Sequence, residues 1–214
     1  MSGVTEPAMH TRPRAAAIPL PDRTFVTRLT TSYFEQIHPQ FPFLHRPTYL
    51  EWEDRVFRSI TEDESPDPIC LFFVYVVASV GSLATPIASE SLPEALYASA
   101  EQLFEHVMCQ NSLQSIQAIL ASAMYSIRSP IGVSVWTLSG LALRQCIELG
   151  LHRKIAWSKT ESDVLKTQIR RRVFWCSYNL DRAAALTLGR PVGIADCDID
   201  VDVSLTASSS ETVS

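Results

Sequence analysis

Between Asp67-Pro68 and Pro86 the chain carries its most apolar stretch, ICLFFVYVVASVGSLA, running from Ile69 to Ala84. This run is short for a membrane span, which needs about 20 residues. Acidic, proline-containing sequence precedes it and a proline follows. Asp67 followed by Pro68 is a helix start. The aspartate can accept first-turn amides, and a proline at the first helical position leaves no amide unsatisfied. A helix that is apolar all round must be covered on all sides. The expectation is a buried core helix, and everything else in the chain has to enclose it.

The remaining punctuation is helical as well. Asp22 caps a helix to about His38, stopped by Pro39. Thr48 to Glu51, TYLE, reads as a capping box opening a helix to about Ile60, and SLPE from Ser91 and NSLQ from Asn111 read as two more. Ser129-Pro130 repeats the cap-and-proline signal ahead of a helix ending at Gly150, and Thr160 opens the longest helix, ending at Gly189. Apolar residues support the last two. Val135, Leu138, Ala142, Cys146 and Leu149 form one stripe, and Leu165, Ile169, Val173, Cys176, Leu180 and Ala184 form the other. The fold class expected is all-α, about seven helices over residues 22–205. A disordered, proline-rich lead-in (1–21) and a polar, Ser-rich disordered tail (206–214) flank it. Hydrophobic residues make up 46% of the 214, enough for a real core.

Several chemistries are disfavoured. The formal charge of -5 lacks the basic surplus usual in nucleic-acid binders. Five cysteines at wide spacing (70, 109, 146, 176 and 197) read as reduced, mostly buried thiols of an intracellular protein, and the N-terminus shows no apolar signal core. The alternating carboxylates of DCDIDVD, from Asp196, lack the glycine and glutamate of a calcium loop, since Val201 and Ala207 stand there. The expected role is an extended segment with aspartates toward water and Ile199, Val201 and Val203 toward the protein. His106 and Cys109, three apart, are too few for a zinc site. His38, His45 and His152 sit beside helix ends or turns, where bonding to backbone is the ordinary role. No nucleophile stands at a recognisable spacing from a base, so no catalytic residue and no metal ligand is assigned.

The stretch from Arg170 to Val203 then holds the remaining charge of interest. Arg170, Arg171 and Arg172 fan over about 200° of a helix, so they cannot all face one DNA groove. Arg172 borders the apolar stripe and must snorkel or pair. Asp181 and Arg182 lie among apolar neighbours and need partners. Arg190 is expected to fold back onto Asp181 or onto the last helical carbonyls. Arg172, Asp181, Arg182, Gly189, Arg190 and Pro191 are therefore assigned to a structural lock at the helix exit, not to a ligand or DNA contact.

Three stretches together carry a family resemblance. FPFLHRPTY (41–49), LALRQCIELGLHRK (141–154) and RRRVFWCSYNLDRAAALTLGRPVGIADCDIDV (170–201) resemble, in order and spacing, the middle regulatory domain of fungal binuclear zinc-cluster transcription factors. The third, with Leu-Asp-Arg, Leu-Gly-Arg-Pro and Asp-x-Asp-Ile-Asp, is the most specific. The resemblance implies an all-helical domain, a nuclear location, and control of transcription rather than catalysis, in some members in response to small metabolites. It also implies a six-cysteine cluster holding two zinc ions ahead of this region, with its helix set in the DNA groove. The sequence has no such cluster, so no cofactor is expected in this chain and no DNA-contact residue is carried over.

The family's middle region continues into further helices. A regulator fragment, a C-terminally truncated relative and one piece of a split gene remain open. The function expected is transcriptional regulation of metabolic or biosynthetic genes, through protein contacts and effector sensing. The alternative is a helical small-molecule-binding protein or enzyme unconnected with transcription. Partners expected are a second copy or a full-length regulator, with DNA reached only indirectly or through a missing segment. A small-molecule effector is a further expected partner, and a membrane is not. An apolar face around residues 71–80, lacking part of its cover, is the expected site of self-association.

Overall fold

A computed structural model describes residues 15–85, 91–130, 132–154 and 161–203, with side chains of the last stretch described from residue 164. Among them are eight α-helices and one short 3-10 turn, and no strand. In order these are α1 (Arg23–Gln36), α2 (Arg46–Thr61), α3 (Pro68–Leu83), α4 (Leu92–Glu101), α5 (Phe104–Met108), α6 (Leu113–Arg128), α7 (Val135–Glu148) and α8 (Glu161–Leu188), followed by the 3-10 turn Asp196–Asp198.

The apolar run becomes the central helix. Asp67 accepts the amides of Ile69 and Cys70, both at 2.9 Å, with Pro68 in the first turn. Every residue of α3 from Phe72 to Ser82 is buried, enclosed by α1, α2, α4, α5 and α6. The 71–80 face thus has its cover, which overturns the expectation that it is left bare. A tight contact makes this possible: a Cβ at Gly81 would strike the Leu29 carbonyl of α1. Aromatic rings fill the sides, with Trp52 on Phe73, Phe72 on Phe104, and Tyr97 of α4 stacked on Tyr125 of α6 at 3.8 Å.

Helix boundaries differ from expectation where a proline outranks a hydroxyl. α2 opens two residues before Thr48, with His45 at the cap and Pro47 in the first turn. Thr48 instead pairs with the His45 ring, Nδ1 to Oγ1 at 2.9 Å. Ser129 closes α6 rather than opening α7. Its extended backbone is the conformation a following proline favours, and α7 starts only after Ser134. Between them Gly132 crosses α6 so closely that a Cβ would collide with Ser126. At the NSLQ box the reciprocal cap is made by Ser112 and Ser115, and Asn111 reaches Glu148 instead. Ser91 sits at the cap of α4 without a side-chain cap bond. The one helix beyond the seven expected, α5, arises because the chain turns at Leu103 and restarts, burying Val107 and packing Phe104 on Phe72.

Part of the expected disordered lead-in is held against the helices. Residues 15–21 are described and Ile18 is held: Ser99 Oγ donates to its carbonyl at 2.8 Å and accepts its amide at 2.9 Å, while the Tyr75 hydroxyl donates to the same carbonyl at 3.1 Å. Residues 1–14 and the tail from 204 lie outside the described residues, as does Thr160, the expected start of α8. Leu165 of the expected stripe is 41% exposed. Val173, Cys176 and Leu180 of that stripe are buried, and Phe174, Ser177, Asp181 and Ala185 complete the buried face.

Candidate functional site

Both α7 and α8 end in a left-handed glycine, Gly150 (φ 66°) and Gly189 (φ 64°). Past each, the next amide returns to the helix: Leu151 N to Cys146 O at 2.8 Å and Arg190 N to Ala185 O at 2.9 Å. These bonds satisfy carbonyls that a helix end leaves open and turn the chain sharply. After Gly189 the turn sends Pro191 to Val203 back along α8 toward its start.

Arg171, Arg182 and a set of aspartates fasten that return segment. Asp181, 2% exposed, accepts the Gly193 amide at 2.8 Å. Gly193 suits the position, because a Cβ there would stand 2.8 Å from Leu143 Cδ2 and 3.4 Å from the carboxylate itself. Arg182 donates to the Ile194 carbonyl at 2.7 Å and to Asp196 at 2.6 Å, with its guanidinium 4.6 Å from the Tyr178 ring centre. Tyr178 also donates to Asp196, at 2.9 Å. Nearer the helix start, Trp175 Nε1 donates to the Asp202 carbonyl at 3.1 Å and Arg171 reaches its carboxylate at 3.0 Å. The other edge is held by the loop after α7. The His152 carbonyl accepts the amides of Asp200 and Val201, and Asp200 accepts the Lys154 amide at 2.6 Å. Ile194 and Val201 are buried beneath this lattice.

Three sequence expectations change here. Arg190 does not reach Asp181; its guanidinium lies 4.5 Å from the centre of the Trp136 ring on α7. A flat cation on an indole face is a favourable arrangement, and the turn at Gly189 points Arg190 toward α7. The aspartates at 196, 200 and 202 do not simply face water, since each takes a cation or an amide. Val203, expected inward, is 62% exposed, whereas Val201 is buried. Arg172 lies half-buried near Cys176. Arg170 donates to the Leu149 carbonyl at 3.0 Å, closing the end of α7, and burial pulls its pKa below the ordinary arginine value. Sequence reasoning missed Gly193, Trp136, Tyr178 and Trp175 as members of this arrangement. The aspartate period was the one signal that could have shown it, since the spaced carboxylates lie opposite Arg171 and Arg182, about three turns apart on α8.

Reactive chemistry has little footing among the described residues. Burial pushes the thiols of Cys146 and Cys176 up to about 12 and that of Cys70 up to about 11, so they stay protonated and weakly nucleophilic. Cys109 and Cys197 are exposed, and His106 is exposed beside Cys109. Among the described residues no three His, Cys, Asp or Glu side chains gather as a metal site would need. His38 Nε2 donates to the Leu44 carbonyl, 2.8 Å away, the backbone role expected of it.

A cavity of about 610 Å³ opens beside the N-terminal segment. Ala15–Ala17 form one wall, Tyr97, Ala98 and Glu101 of α4 a second, and Phe104, Ser122 and Leu138 contribute from α5, α6 and α7.

Fold and site together define an all-helical domain closed at its end by a charged return segment, with a separate apolar cavity. The fungal specific transcription factor domain family matches residues 30–212, and the chain belongs to that family. Similar proteins include Protein STB5 of Saccharomyces cerevisiae, 30% identical over 84% of this chain and 25% of that protein. The positive regulator of purine utilization of Emericella nidulans is 26% identical over 88% of this chain and 23% of that protein. The probable transcription factor FUP6 of Fusarium proliferatum is 32% identical over 86% and 27%. The chain thus spans about a quarter of the length of these relatives. No solved structure matches it.

Proposed function

We propose that this chain serves transcriptional regulation in the nucleus as a non-catalytic helical module that works through protein contacts and a small-molecule effector. The observation that carries the reading is the family match over residues 30–212, which takes in the whole return segment. One relative is named a positive regulator of purine utilization and another a probable transcription factor, which supports metabolic or biosynthetic genes as the targets. No helix among the described residues is long and apolar enough to cross a membrane.

DNA reading, in this proposal, comes from another segment or a partner. The net charge of -5 gives little attraction for phosphates, and Arg170, Arg171 and Arg182 of α8 are occupied by the end of α7 and the return segment. Protein contact is supported by apolar side chains left bare where α8 ends, Leu186 at 83% and Leu188 at 51% exposure. The contact region proposed is thus the α8 terminus, not α3, and the partner is a second copy or a full-length regulator.

The test fuses the chain to an unrelated DNA-binding module upstream of a reporter in fungal cells. Reporter output should differ from that of the module alone, and unchanged output would refute the regulatory role. A gel shift at physiological salt should show no specific band for the isolated chain. Sedimentation should show self-association weakened by Leu186→Asp. A sequence-specific band from a monodisperse monomer would overturn the DNA and contact proposals together.

A further inference from the structure

The effector reading above leaves the site and the chemistry of the effector unassigned, and the cavity beneath Ala15–Ala17 supplies both. Its volume of about 610 Å³ falls inside the range of about 300–1,000 Å³ usual for small-molecule sites. Its walls are mostly carbon: three alanines of the N-terminal segment, Ala98, Phe104, Val133, Leu138 and the ring of Tyr97. Tyr97 is fixed from behind by its stacking on Tyr125, with the planes 7° apart, so that wall is rigid before anything binds. Ser122 and Gln102 offer hydrogen-bonding groups, and the charged group on the walls among the described residues is the Glu101 carboxylate. Among those residues no lysine or arginine lines the cavity, and the Glu101 carboxylate disfavours a ligand carboxylate or phosphate beside it.

We infer that this cavity binds an uncharged, largely apolar small molecule with one or two hydrogen-bonding groups, and that the ligand fastens the N-terminal segment to the helical body. The fastening follows from position. The segment is anchored at Ile18 by Ser99 and Tyr75, but Ala16 and Ala17, just before that anchor, are exposed. A ligand seated among Ala15–Ala17, α4, α6 and α7 touches both the segment and the body. Its binding energy therefore adds directly to the attachment of the segment. The proposal rests on the effector reading of the chain's function, but it is tested by binding alone.

The experiment titrates the full chain with Nile red, a neutral planar probe, and separately with the anionic probe anilinonaphthalene sulfonate. Saturable one-to-one binding of Nile red is expected, with the anion weaker by about tenfold or more. Ala98→Trp fills the cavity from α4 and should weaken Nile red by about tenfold or more. Ala16→Trp does the same from the segment, outside the helical core, so it keeps the test valid if the first variant unfolds. Hydrogen exchange at the Ala16 and Ala17 amides should slow in the presence of saturating probe. Nile red binding that is absent, that persists unchanged in Ala16→Trp, or that leaves those amides unprotected overturns the inference. Equal affinity for the anion overturns the assigned chemistry. Neither result bears on reporter output, so failure here is distinct from failure of the regulatory role.

Discussion

Removing the Asp181 carboxylate is the sharpest test of the helix exit. Asp181 is buried and takes the Gly193 amide at 2.8 Å. A hydrogen bond to a charged group contributes about 1.5–3 kcal/mol, and its loss strands a donor at a part-buried position. Asp181→Ala should therefore destabilise the chain by about 2–3 kcal/mol. At about 2–4 °C per kcal/mol for a chain of this length, that is about 4–12 °C in Tm. Gly193→Ala should cost about 1–3 kcal/mol by pushing a Cβ against Leu143 and the carboxylate. Because both changes disturb one contact, the double variant should cost less than the sum, by about 0.5 kcal/mol or more. Arg190→Ala, which removes the stacking on Trp136, shares no partner with Asp181. Those two should add to within about 0.5 kcal/mol. Urea unfolding followed by far-UV circular dichroism measures all of these. A loss under about 0.5 kcal/mol for Asp181→Ala, or strict additivity with Gly193→Ala, would refute the reasoning.

Gly81→Ala places a methyl group against the Leu29 carbonyl. It should lower stability by about 1–3 kcal/mol, read from the same urea transition, and a neutral effect would show that α1 and α3 do not pack so closely. In the folded chain an aromatic disulfide reagent should modify Cys109 and Cys197 quickly and spare the buried, high-pKa Cys70, Cys146 and Cys176 until denaturant is added; five fast thiols would contradict the burial. Asp54 is held below the ordinary carboxylate value by the hydrogen bond from Arg23 and by Arg58. What it contributes to stability is present above the unfolded pKa and is lost as pH falls through the lower folded one. Asp54→Asn should flatten that part of the acid dependence of the urea midpoint, and an unaltered profile would remove the pair from the account.

Helices were legible in this sequence where local chemistry had no competitor. Asp67-Pro68, the two terminal glycines and the stripe of α7 behaved as their residue types require. The misplaced starts at Thr48 and Ser129 share one cause. A hydroxyl three residues before a glutamate, or one before a proline, marks either side of a boundary equally well, and only the tertiary path decides which. Cover on α3 was invisible for a related reason. Nothing in residues 71–80 says that α1 will approach to within contact of Gly81. At the helix exit, burial and the need of Asp181 for a partner could be read from its neighbours. That partner was a backbone amide, which every residue but proline carries, so sequence favoured the more conspicuous Arg190.

The return segment also has a direction in which it comes undone. Its outer fastenings, Arg153 with Asp200 and Lys154 with Asp202, pair half-exposed charges. Such pairs weaken once the screening length falls toward about 3 Å at molar salt. The Asp181–Gly193 bond lies inside and is shielded. Rising salt should therefore release the segment from its Val203 end inward. Because the amides of Asp200 and Val201 both donate to the single His152 carbonyl, they should begin to exchange together, at a salt concentration that leaves Gly193 protected. The segment is then a short zip fastener, permanently hooked at one end and adjustable at the other by the ionic strength around it.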